Sequence, residues 1–161
     1  MSGLTTCLWF DGRAEEAVRL YASAFGDAFQ PGRVLRAASD YPGGRAGSVL
    51  TIDFTLYGQA FFAMNGGAQT AFNDAVSLQI DTADQAETDR LWDALTADGG
   101  APIACGWLKD RFGLRWQITP RRLTELMHHD DAEVRARVMA AMTAMVKIDI
   151  AALEAAAGGA A

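Results

Sequence analysis

The chain has little of what many recognisable chemistries require. Its 161 residues include only two cysteines and two histidines. Cys7 and Cys105 are far apart and too few for a disulfide framework, and free thiols are expected in a reducing compartment. His128 and His129 are adjacent, and neighbours on a helix point about 100° apart, so they are not a natural chelating pair. A basic surplus is missing as well. The formal net charge is −6, and the arginines and lysines are scattered, with Arg121-Arg122 the one adjacent pair. Nucleic acid and anionic membrane both reward a basic face, so neither is an expected partner. No apolar run approaches the ~20 residues that cross a bilayer. The opening MSGLTTCLWFDG has no basic stretch followed by a long apolar core, so no secretory signal is expected and the cytoplasm is the expected location.

What remains is ordinary for a globular protein: 50% hydrophobic and 21% charged residues, in a length that suits a single domain over residues 1–161. Residues 4–10 alternate, with Leu4, Thr6, Leu8 and Phe10 on one side and Thr5, Cys7 and Trp9 on the other, which predicts a strand. Asp11-Gly12 breaks it. Residues 13–25 carry Ala14, Ala17, Val18, Tyr21, Ala22 and Phe25 at helical spacing. Strands are expected near 28–38 and 47–57 around the loop SDYPGGRAG, which is expected to be exposed and mobile. Tyr57-Gly58 then turns the chain into QAFFAMN.

The order recurs after Gly66-Gly67. Residues 75–81 alternate, residues 84–98 present Ala86, Leu91, Trp92 and Leu95 as a helical stripe, and strand-like segments follow at 102–109 and 114–119. YGQAFFAMN and FGLRWQITP both place an aromatic-Gly pair before a strand with an aromatic three residues past the glycine. With the repeated element order, this predicts an α+β fold of two βαβββ modules, residues 4–65 and 75–120. Beyond Pro120 a helical extension is expected over 121–157. Asp130 or Asp131 would cap a helix from about residue 132, Val134, Val138, Met142, Met145 and Val146 would form its apolar stripe, and Asp149 would cap a last short helix.

The segments CLWFDGRAEEAVRLY, AVSLQIDTADQAETDRLWDAL, CGWLKDRFGLRWQITP and MVKIDIAALEAA resemble the PhnB-like family, whose members often carry the label 3-demethylubiquinone-9 3-methyltransferase. That family is a branch of the vicinal oxygen chelate superfamily, with glyoxalase I, extradiol dioxygenases and the bleomycin- and fosfomycin-resistance proteins. The resemblance spans roughly residues 4 to 156. It implies two βαβββ modules forming a cupped, mostly antiparallel sheet, usually completed by a homodimer. For the methyltransferase label, no strand leads into a Gly-rich loop and helix with a downstream acid that would seat a nucleotide-like methyl donor.

Metal-dependent members of the superfamily take one ligand from the first and fourth strand of each module. Carried onto this chain, those positions are Cys7, Phe62, Ala75 and Gln117, with Asn65 the replacement if the fourth strand shifts. Phe62 and Ala75 cannot coordinate, and a thiol with an amide is a poor pair for a hard cation or for zinc. No cofactor is therefore expected, a divalent metal being the alternative. The polar and aromatic residues Cys7, Trp9, Asn65, Ser77, Gln79, Trp107, Arg115 and Gln117 are expected to line a cavity for an unknown small molecule. Several residues have a plainer reading: Cys7 as a small hydrophobe rather than a nucleophile beside Arg115, Trp9, Trp107 and Trp116 as core, and Asp110-Arg111 in DRFG as a hairpin turn. The expected function is small-molecule binding on this fold without the usual metal. The alternatives are a metal-dependent isomerase, lyase or dioxygenase, a transferase, or a dimeric interaction module acting through the C-terminal helices.

Overall fold

A computed structural model describes residues 3–68 and 70–158 of the chain. The chain divides into two units, residues 1–71 and 72–161. In the first, the elements are β1 (Thr6–Phe10), α1 (Ala14–Phe25), β2 (Phe29–Arg36), β3 (Val49–Leu56) and β4 (Gln59–Asn65). The sheet order is β1-β4-β3-β2, with β1 parallel to β4 and the other pairs antiparallel. This is the βαβββ module that the sequence predicts.

Period-2 alternation sorts the side chains. Leu8, Phe10, Ile52, Phe54, Leu56, Phe61 and Ala63 are buried, as are Ala14, Ala17, Tyr21, Ala24 and Phe25 of α1. The rings of Phe29, Phe54 and Phe61 stack in a column with centroids 5.4 and 5.3 Å apart. No side chain of its own caps α1 at Arg13. Asn65 at the end of β4 does this instead: its Oδ1 accepts from Ala14 N at 2.9 Å. Its Nδ2 donates to Val49 O at 3.1 Å and Glu15 Oε2 at 3.0 Å.

The loop expected to be exposed and mobile is tied by its own hydrogen bonds. Asp40 Oδ1 accepts from Ala46 N, and Tyr41 and Gly44 exchange backbone bonds. The loop seats on the Gly66-Gly67 turn so closely that a Cβ on Gly67 would lie 2.2 Å from Gly43 N. Gly67 also has φ +79°, so glycine is required there twice over.

In the second unit, β5 (Leu78–Thr82), α2 (Gln85–Thr96), β6 (Ala101–Pro102), β7 (Trp107–Lys109) and β8 (Arg115–Pro120) precede α3 (Arg121–Met127), α4 (Ala132–Thr143) and α5 (Ile150–Gly158). The order β5-β8-β7-β6, with β5 parallel to β8, repeats that of the first unit. Two expectations about element bounds are corrected. The strand expected from residue 75 begins at Leu78, because Asn73 Oδ1 holds Ala75 N in a turn at 2.9 Å. The segment 102–109 is two short strands, separated by a turn in which Cys105 and Gly106 have φ 53° and 83°. The helical extension expected over 121–157 is three helices, the second capped by Asp131 through Glu133 N and the last by Asp149 through Ala152 N, both as expected. The extension has a core of Leu123, Leu126, Val134, Val138, Ile148 and Leu153.

Asp110 forms the expected DRFG turn. Its Oδ1 accepts from Phe112 N and Leu114 N, and its Oδ2 accepts from Trp116 Nε1 at 2.9 Å. Trp116 is fully buried, which makes it core rather than a stacking surface.

Candidate functional site

Each sheet buries one face and leaves the other half-exposed. On the open face of the first sheet, the register sets Cys7 beside Phe62 and Phe62 beside Asp53. The next row is Trp9, Met64 and Thr51. Cys7 is exposed overall, yet partial desolvation among its strand neighbours raises its thiol above the ordinary value. It is therefore a thiol rather than a thiolate near neutrality. Trp9 lies against Gly66, where a Cβ would come within 2.4 Å of the ring. Its Nε1 is buried without a hydrogen-bond partner. Asn65 is 5% exposed and all its bonds brace the fold, so it belongs to the module's closure and not to the open face.

One hollow on this face lies toward β2. A space of about 430 Å³ is lined by Thr5, Gln30, Arg33, Asp53, Thr55, Ala60 and Phe62, among others. Cys7, Trp9 and Asn65 are not in its lining. A second hollow of about 320 Å³ shares Arg33 and Asp53 and adds Val34, Leu35 and Thr51. The Arg33–Asp53 ion pair, at 3.3 Å and with Arg33 93% exposed, stands between them and is weak enough for a ligand to compete with it. Sequence reasoning singled out Phe62 but missed the others. The alternation Thr51-Asp53-Thr55 along β3 was a readable signal for three of them. Arg33 and Gln30 gave none, because β2 is an edge strand with register shifts and is exposed along nearly its whole length.

The second sheet brings its share of the expected residues together. Trp107, Gln117 and Gln79 form one row across three strands, and Arg115 pairs with Lys109 in the next. Gln117 Nε2 donates to Ser77 Oγ at 2.8 Å, and Gln79 Nε2 donates to Asp81 Oδ1 at 2.8 Å. Arg115 is held by an ion pair to Asp74 and by donation to Gly113 O.

This register revises the superfamily's ligand positions. Phe62 stands four residues after Gly58 and pairs with Cys7; Gln117 stands four after Gly113 and pairs with Gln79, not with Ala75. The four positions are therefore Cys7, Phe62, Gln79 and Gln117. One phenyl ring, one thiol kept protonated and two neutral amides do not fit a divalent cation, which wants several anionic or imidazole donors. Among the described residues, no group of three or more His, Cys, Asp or Glu side chains is placed to hold a metal ion.

With this geometry established, the likeness to known proteins is specific. The profile of the 3-demethylubiquinone-9 3-methyltransferase family matches residues 2–119. The chain belongs to this family. It is the PhnB-like branch that the motifs indicated. A solved PhnB protein from Bacillus cereus is 32% identical, with a TM-score of 0.65, and the match covers 74% of this chain and 99% of that one. A protein of Pseudomonas aeruginosa, PA1353, is 20% identical with a TM-score of 0.60, covering 74% and 98%, and speaks for the fold alone. No curated protein matches the chain. Among the described residues, no helix is long and apolar enough to cross a membrane.

Proposed function

We propose that this member of the family binds a small molecule on the open faces of its sheets, without a divalent metal, in the cytoplasm and as a homodimer. The observation that carries the reading is the 430 Å³ hollow of the first sheet, which combines an aromatic floor at Phe62 with hydroxyl, amide and breakable ion-pair groups. The row Trp107–Gln117–Gln79 supplies the same mixture of apolar surface and hydrogen-bonding groups on the second sheet. Leu4 and Val76, at the leading ends of β1 and β5, are 86% and 68% exposed, which supports burial against a second copy. Sedimentation of the purified chain reads that directly.

The binding claim is tested by fragment screening with amide NMR in the presence of a chelator. Shifts at Asp53, Thr55 and Phe62 that disappear in Ala60→Trp, which fills the hollow, are the expected result. Binding that needs added divalent ion, or that survives the filled hollow unchanged, would overturn it. The family's name favours a second reading, methyl transfer. Turnover abolished by Gln117→Ala or Cys7→Ala, with the fold intact, would replace the binding reading by that one.

A further inference from the structure

The family match ends at residue 119, yet the chain beyond it is built into the second module. Between α4 and α5 the chain runs back along the module. Met145 O accepts from Cys105 N and Val146 O accepts from Gly106 N, both at 2.9 Å. A few residues on, Gln85 at the start of α2 grips the same segment twice. Its Nε2 donates to Ile148 O at 3.1 Å and its Oε1 accepts from Ile150 N at 2.9 Å. The Ile148 side chain is 1% exposed, and Lys147 pairs with Asp89 at 2.6 Å.

The two donors held by this segment form the turn between β6 and β7. Cys105 has φ 53°, a conformation that a residue with a side chain seldom adopts and that its surroundings must hold. Gly106 O accepts from Ile118 N of β8 at 2.8 Å, and Ile103 N donates to Trp107 O at 2.8 Å. A Cβ on Gly106 would lie 2.9 Å from Ile118 O and 3.1 Å from Ile148 Cγ1. The turn is thus fixed between β8 on one side and the C-terminal segment on the other, and it delivers the chain directly to Trp107.

We propose that residues 144–150 are a strap, clamped by Gln85, that holds the Cys105-Gly106 turn and so sets where Trp107 stands on the open face of the second sheet. Through it, the C-terminal helices adjust a surface that the family-matched part of the chain would otherwise shape alone. The consequence for ligands rests on the binding reading above; the positioning itself does not.

The test uses the full chain. Gln85→Ala removes both grips, and Thr82→Val, which lowers stability elsewhere in the unit, serves as the control for a merely structural loss. Amide hydrogen exchange is read at Cys105 and Gly106, and the Trp107 ring is followed by 19F NMR on 5-fluorotryptophan-labelled protein, its line assigned with Trp107→Phe. Gln85→Ala is expected to speed exchange at Cys105 and Gly106 roughly tenfold beyond the control and to move the Trp107 line. Gln85→Glu keeps the acceptor for Ile150 N and is expected to fall between. Exchange at the turn no faster than in Thr82→Val, or a Trp107 line that stays in place, would overturn the proposal. Neither readout uses a ligand, so a protein that binds no small molecule would remove the functional reading and leave this result standing.

Discussion

The two modules share an order of strands and a buried face, but they finish differently. In the first, β4 ends on Asn65, opposite Phe10, and that one amide caps α1, ties down Val49 and meets Glu15. In the second, the residue opposite Thr82 is Pro120, which can supply no such amide. There a buried hydroxyl pair, Thr82 and Thr88 at 2.6 Å, links strand to helix, and α2 is capped by its own Asp84 through Glu87 N at 2.8 Å. The first module closes on itself through a side chain from its last strand. The second has a helix that needs no such help, so its last strand is free to run on into α3 and the C-terminal extension.

Substitutions can break this comparison in order of size. Gly67→Ala would force a Cβ into the Gly43 backbone at a positive φ, and about 3 kcal/mol or more of stability should be lost, read by denaturant unfolding. Asn65→Ala leaves the buried Ala14 N–H without its partner and leaves the Val49 carbonyl with Tyr41 Oη as its side-chain donor, for a cost of roughly 2 kcal/mol. Thr82→Val should cost only about 1 kcal/mol, because Thr88 keeps its bond to Asp84 O at 2.8 Å. If Thr82→Val proved as damaging as Asn65→Ala, the contrast between the modules would fail. The smallest effect concerns reactivity rather than stability. Burial raises the Cys7 thiol, so its alkylation should accelerate only at a pH above that where free cysteine, near 8.5, does so. A rate already at its plateau at pH 7 would contradict this.

Much of the fold was legible because it rests on periodicity. The alternation in β1 and the helical stripe of α1 needed only the local pattern, and the repeated aromatic-Gly turn linked one module to the other. The turn at 103–106 was not legible, because what splits 102–109 into two strands is a hydrogen-bonded contact with residues 145 and 146, far along the sequence. The same limit applied to the site. Gln117 and Ser77 were readable as polar positions facing one way, and the structure joins them by a hydrogen bond. Asn65 has the same residue chemistry, but its partners lie 16 to 51 residues away. Only the folded chain shows that they engage both N–H groups of its amide and its oxygen. Putting the first-strand ligand position of the second module at Ala75 was an error of register: counting back from Val76 assumes a strand that has not yet begun, and the ladder sets Gln79 beside Gln117.

Central to this account is a PhnB-like fold whose metal positions, Cys7, Phe62, Gln79 and Gln117, hold no set of ligands for a divalent ion. Elemental analysis of the full chain, purified without chelator and then dialysed against manganese, nickel or zinc, tests that most directly. The account predicts far less than one ion per chain in every case. One tightly held divalent ion per chain, lost in Gln117→Ala, would contradict it.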